Sequence, residues 1–189
     1  MGVAGTPPER LTGRPAGQVQ RVADFDITVL ILSEHDAFRR AFTEIEQLDD
    51  VEQLRTRWRE LADQLEVHAA GEEAVFYPAL LVDVDGSEGD TEHAVKDHNE
   101  IREATRKVDD HEVGTDAWWE AFREAREATV DHLGEEENDV LPPFKNQVSE
   151  QERSELGMRW MKFLEEHEGA KGLSGDEKDP EVYVEERSS

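Results

Sequence analysis

The sequence predicts an all-α fold, an antiparallel up-down-up-down four-helix bundle with an additional C-terminal helix. Three observations predict it. Apolar residues recur at helical spacing along four long stretches, glycine- and proline-bearing breaks separate those stretches, and the second pair of stretches repeats the residue pattern of the first. At 189 residues the chain fits one domain with tails, long enough to bury a core.

The elements follow in chain order. Residues 1–22 are rich in Gly, Pro and polar residues and are expected to be a flexible tail. From Asp24 or Asp26, either of which suits an N-cap, a helical pattern runs to about Leu48, with Ile31, Leu32, Phe38, Phe42 and Ile45 on one side. A second helix is expected from Val51 to about Leu81, with Leu54, Trp58, Leu61, Leu65 and Phe76 inward. "DVDGSEGD" (Asp83 to Asp90) reads as a loop, and a third helix runs from about Thr91 to His111. A fourth runs from about Asp116 to Val140, where Pro142 and Pro143 are expected to break it. A fifth, from about Glu150 to His167, carries Leu156, Trp160, Phe163 and Leu164. The bundle is thus bounded at 23–147, an extra packed helix at 148–168 and an acidic polar tail at 169–189.

Composition excludes several function classes. With 47 acidic against 21 basic residues, the formal net charge is −26, which opposes general affinity for nucleic acid phosphates or anionic membranes. There are no cysteines, so disulfides, thiolate metal sites and cysteine nucleophiles are ruled out, and any metal must use histidine and carboxylate. The longest apolar run, Ile27 to Leu32, is too short to span a bilayer. No secretory signal is readable at the start, so the cytoplasm is the expected location.

The internal repeat carries the chemistry. His35 and His68 are 33 positions apart, His98 and His132 34. His35 sits in "EHDAFR" and His98 in "DHNEIR", each with an acid before it and an arginine four residues after. His68 and His132 each have glutamates at +4 and +5 and a proline at +10, Pro78 and Pro142. Residues i and i+4 lie about 40° apart around a helix, so His68 shares a face with Glu72, and His132 with Glu136. That face, and those of His35 and His98, are the apolar stripes of their helices. A lone histidine on such a stripe is more often a hydrogen-bonded core residue than a ligand. Six inward residues in duplicated order outweigh that reading, since an unpartnered carboxylate in an apolar core is costly and a metal removes the cost.

Four imidazoles and two carboxylates suit iron or manganese, and zinc less specifically. If both glutamates bridge, each metal receives two nitrogens and two oxygens and keeps open positions for a small ligand. Other candidates read as bland. Glu73 and Glu137, at i+5, lie about 140° from their histidines and are expected to face solvent or hold a contact behind a ligand. Glu34 and Asp97, each preceding a histidine, read as solvated surface. Glu135 is geometrically allowed, but its counterpart is Gly71; His93 is out of phase and reads as surface. Phe76, Tyr77, Trp118 and Trp119 read as core or pocket wall.

From Asp24 to Phe144, the order His35, His68 with Glu72, His98, and His132 with Glu136 resembles the hemerythrin-like proteins of the HHE cation-binding family. The resemblance implies a four-helix bundle holding a non-haem diiron centre, with the four histidines as terminal ligands and the two glutamates bridging. It further implies a small-molecule partner such as oxygen, peroxide or nitric oxide, and a role in redox stress or iron handling. Catalase-like peroxide turnover is one expectation; a sensing or binding module without turnover is the other. The chain is expected to be a monomer or homodimer, with no nucleic acid or membrane partner. Oxygen-carrying members have a further histidine four residues from that of the third helix, where this chain has Ala94 and Arg102. Their second carboxylate is an aspartate one position further on, whereas this chain has the more symmetric set.

Overall fold

The computed structural model describes residues 25–188, and all regular structure among them is helical. The expected N-terminal tail lies outside the described residues. Helix α1 (Ile27–Ile45) starts where the Asp26 carboxylate accepts the Thr28 amide at 3.0 Å. Its inward stripe is Ile31, His35, Phe38, Phe42 and Ile45, while Leu32, one position off the stripe, is 37% exposed.

Helix α2 (Val51–Gly71), capped by Asp50, runs without a break into a π-helical turn, Glu72–Phe76, and then α3 (Tyr77–Asp83). Helix α4 (Glu88–Asp109) begins inside the stretch expected to be a loop. Helix α5 (Asp116–Glu135), capped by Thr115, repeats the earlier pattern, with a π turn at Glu136–Val140 and then α6 (Leu141–Gln147). The expectation that Pro142 and Pro143 break this helix is corrected here. A proline inside a helix lacks the amide its preceding turn requires, and its ring crowds a carbonyl. The π turn widens the backbone just upstream, the Leu141 amide bonding the Glu136 carbonyl five residues back. The prolines then fall in the first turn of α6, where a missing amide is tolerated.

Helix α7 (Glu150–Glu166) opens with a capping box between Ser149 and Glu152. It packs on α1 and α2, burying Leu156 and Trp160. The region after Gly169, expected as a polar tail, contains α8 (Pro180–Arg187), which packs against α4 and buries Tyr183 and Val184. Its apolar signal is three adjacent residues, Val182 to Val184, too short to show periodicity, and it finds its partners only on the folded surface. The Tyr183 hydroxyl donates to the Glu73 carbonyl at 2.6 Å. In the π pattern that carbonyl would take the amide of residue 78, and Pro78 has none.

The core forms two apolar layers. One holds Ile27, Ile31, Phe76, Leu80, Phe144 and Trp160; the other holds Phe42, Trp58, Leu61, Trp118 and Phe122. Between them, level with His35 on α1, lies a layer of buried polar side chains. No helix among the described residues is long and apolar enough to cross a membrane.

Gly157 sets how closely α7 approaches α1. A Cβ at that position would lie 1.6 Å from the Phe25 carbonyl oxygen. Gly157→Ala is therefore expected to push α7 outward and lower stability by about 1–3 kcal/mol in thermal or urea melts. A melt matching the unaltered protein would refute the close approach.

Candidate metal centre

The polar layer is built by four helices. α1 contributes His35, α2 and its π turn His68 and Glu72, α4 His98, and α5 with its π turn His132 and Glu136. All six are buried, none above 3% exposed. Glu72 divides its oxygens between two helices: Oε1 lies 3.2 Å from His68 Nε2, and Oε2 lies 3.2 Å from His98 Nε2. Glu136 Oε2 stands 3.4 Å from His35 Nε2 and 3.8 Å from His132 Nε2. Potential ligand atoms of His35, His68, Glu72 and Glu136 fall within 4.8 Å of one another, as do those of Glu72, His98 and His132. The structure thus brings together all six residues singled out in the sequence, with each glutamate spanning both halves of the repeat.

His98 Nε2 lies 3.1 Å from His132 Nε2, within hydrogen-bond reach, but most of the other inward atoms have no such partner. His35 Nε2, His68 Nε2, both Glu72 oxygens and Glu136 Oε2 are buried without a hydrogen-bond partner. Buried polar atoms are ordinarily satisfied, and so many orphans facing one another in one layer fit a cation. The donor set is nitrogen and carboxylate oxygen, which accommodates iron, manganese or zinc.

A carboxylate stands behind each histidine. Glu137 lies 3.0 Å from His35 Nδ1, Glu34 2.9 Å from His68 Nδ1, Glu73 2.9 Å from His98 Nδ1, and Asp97 3.5 Å from His132 Nδ1. A carboxylate accepts, so Nδ1 carries the proton and the Nε2 lone pair is turned inward, the tautomer a metal ligand needs. The acid preceding one histidine serves the other histidine of its own half. The second glutamate of each Glu-Glu pair serves the first histidine of the opposite half. The expectation that Glu34 and Asp97 are merely solvated is corrected: Glu34 also accepts from the Trp160 indole at 2.8 Å, and the Asp97 side chain is only 15% exposed. Glu73, 2% exposed, is held further by Arg102 at 3.0 Å and by Lys178. Glu137 is held by Arg39 at 2.7 Å.

Tyr77 is the residue that sequence reasoning placed as wall and the structure places in the site. Its hydroxyl donates to Glu136 Oε1 at 2.8 Å and lies 3.3 Å from His98 Nε2. Nothing in its spacing marked it, because it follows the π turn that rotates it inward. Arg102, four residues after His98, points to Glu66 and Glu73. Phe76 and Trp118 are core, and His93 is exposed beside Glu135.

Without a cation, protons take its place. Burial opposes charging His68, but the Glu72 and Glu34 carboxylates outweigh it and raise it to about 10. His98 is likewise raised to about 9, against burial, by Glu72 and Glu73. Burial pushes Glu72 upward, and the charge of His68 overcomes this and holds it well below the usual range. Burial, with Glu136 and Glu72 beside it, keeps the Tyr77 phenol protonated far above its ordinary value.

The sign of the linkage follows. Raised histidines stabilise the cation-free fold fully below about 6.5, and that contribution is lost as pH rises through 9 to 10. The lowered Glu72 contributes above the usual carboxylate range and loses its contribution in acid. The melting temperature of cation-free protein is therefore expected to fall between pH 7 and 10, and cation loading to remove that alkaline fall. Loading should also release protons into weakly buffered solution. Melts flat across this alkaline range without the cation would contradict the assignment.

Comparison with known proteins agrees with this geometry. A DNA nickase from Nostoc sp. is 23% identical over 129 residues, covering 68% of this chain and 36% of that protein. The chain thus spans about a third of the length of the curated relative it matches. No solved structure matches it. The family model described as the hemerythrin HHE cation binding domain matches residues 26–144, the segment that supplies all six inward residues. The chain belongs to the hemerythrin HHE cation-binding domain family.

Proposed function

We propose that the chain is a non-haem diiron protein that binds or reacts with a small molecule, such as peroxide, nitric oxide or oxygen, in cytoplasmic redox stress or iron handling. In this reading α1, α2 with its continuation, α4, and α5 with its continuation form an antiparallel up-down-up-down bundle. The short links at 46–50 and 110–115 support that arrangement. The observation that carries the reading is the set of five buried, unpartnered atoms on His35, His68, Glu72 and Glu136. His35, His68, His98 and His132 would be terminal ligands, and Glu72 and Glu136 would bridge.

A pair of iron ions held there supplies Lewis acidity and one-electron redox chemistry to a small ligand. The chain's own residues do the rest. The four carboxylates behind the histidines fix the imidazole orientation. The two apolar layers cover the centre on two sides. Tyr77 presents a phenol proton at Oη, beside Glu136 and His98, where it can be given to a small molecule as charge develops on it.

A sensing module without turnover is favoured by one observation. Glu73 connects His98 to Lys178 and, through its carbonyl, to Tyr183, so a change at His98 is felt in the C-terminal helix. The nicking activity named for the Nostoc protein is not carried over. The match covers 36% of that protein, and a net charge of −26 repels DNA phosphates.

Metal analysis of the purified chain tests the reading. About two irons per chain are expected, both lost on Glu72→Ala or Glu136→Ala. A metal-free chain of undiminished stability would refute it. With iron bound, peroxide turnover above that of free iron supports an enzyme, and a stable spectral adduct without turnover supports a sensor. If turnover is seen, Tyr77→Phe is expected to retain iron and slow it roughly 10- to 100-fold. An unchanged rate would remove Tyr77 from the chemistry.

A further inference from the structure

The two halves share a helix pair but not a cover. In the first half the Trp160 indole lies over His68, ring centroids 5.5 Å apart, and occupies one oxygen of Glu34. Gly71 makes the room for it, since a Cβ there would come within 3.0 Å of the indole. In the second half the corresponding face, beside His132, is a cavity of about 440 Å³. There the repeat places Glu135 where the first half has Gly71, and His93 where it has Leu30.

These two replacements meet. His93 Nε2 lies 3.0 Å from Glu135 Oε2 and 3.7 Å from Asp97 Oδ2. One potential ligand atom from each of the three falls within 4.8 Å of the others. The same Asp97 oxygen stands 3.5 Å from His132 Nδ1, so it faces an outer and an inner histidine at once. The cavity has Asp90 and Asp139 at its rim, His132 and Glu136 in its lining, and no lysine or arginine among its lining residues. Glu136 is 1% exposed, and its Oε2 has no hydrogen-bond partner. An exposed histidine beside acids is commonplace on a surface. Here an acid-lined cavity joins it to a buried carboxylate with one unpartnered oxygen.

We propose that His93, Asp97 and Glu135 form an outer divalent-cation site that captures a hydrated ion and passes it through this cavity to His132 and Glu136. The proposal rests on reading the buried layer as a cation centre. One imidazole and two carboxylates, two of the three side chains about half exposed, leave most of the ion's water in place. They hold it weakly enough to exchange. Transfer needs no change of oxidation state: outer carboxylate and water ligands are replaced by inner imidazole and carboxylate. In the first half Trp160 covers His68, and the cavity beside Glu34 is lined by neither His68 nor Glu72, so that half lacks this approach.

Cobalt(II) uptake by the cation-free full chain, followed by stopped-flow absorbance, tests this. His93→Ala combined with Glu135→Gln is expected to slow uptake roughly tenfold while leaving the final amount bound unchanged. Glu120→Gln, with the same loss of charge on a remote exposed surface, should leave the rate as it was. Equal slowing by Glu120→Gln, or no slowing by the double variant, would overturn the proposal.

A second measurement does not depend on the inner centre. In a chain carrying His68→Ala and Glu72→Ala, manganese(II) should broaden the His93 imidazole resonances, and Glu135→Gln should abolish that broadening. No broadening at His93 would also overturn the outer site. A wild-type chain that takes up no cobalt would refute the buried centre, leaving the manganese result to decide the outer one.

Discussion

Two carboxylates buried between apolar layers govern this molecule. Glu72 and Glu136 are at most 1% exposed and point at imidazoles they do not hydrogen-bond. Left so, each would cost several kcal/mol. The surrounding construction answers that cost in stages: inward histidine nitrogens, a carboxylate behind each histidine, and then Arg39, Arg102 and Lys178 behind two of those carboxylates. Charge alternates outward from the centre to the surface. A cation at the centre completes the alternation, whereas protons on His68 and His98 complete it only imperfectly.

The duplication is visible in this outward chain as well as in the six inward residues. Each half sends one acid to its own second histidine and one to the first histidine of the other half, which ties the two helix pairs together through the centre. The backbone is duplicated too, with a π turn opening at Glu72 and at Glu136. Symmetry ends at the coverings. Trp160 covers His68 in the first half, the cavity of the second is lined by His132 and Glu136, and Tyr183 caps a carbonyl that Pro78 leaves without an amide. The inward residue sets of the two halves are equivalent, so these coverings are where the halves differ.

Much of the helical pattern and all six inward residues were legible in the sequence. An i,i+4 relation and an apolar stripe are local properties of a helix, and duplication made a weak signal repeat. The acids behind the histidines were less legible. Glu73 and Glu137 were placed by the roughly 100° step of an α-helix, but both lie in π turns, which advance less per residue and carry them toward the neighbouring helix. Glu34 and Asp97 sit beside their own stripes, and only the packing of the next helix brings a histidine to them.

The sequence by itself determined that the chain is helical, that His35, His68, Glu72, His98, His132 and Glu136 face inward, and that no thiolate takes part. Those conclusions depend on residue type and on spacing within one helix. The tertiary structure alone decided which carboxylate supports which histidine, that Tyr77 reaches Glu136, that α8 folds back on α4, and which half is covered. Each of these depends on the distance between residues far apart in the chain, and a periodic pattern along one helix carries no information about its neighbour's register.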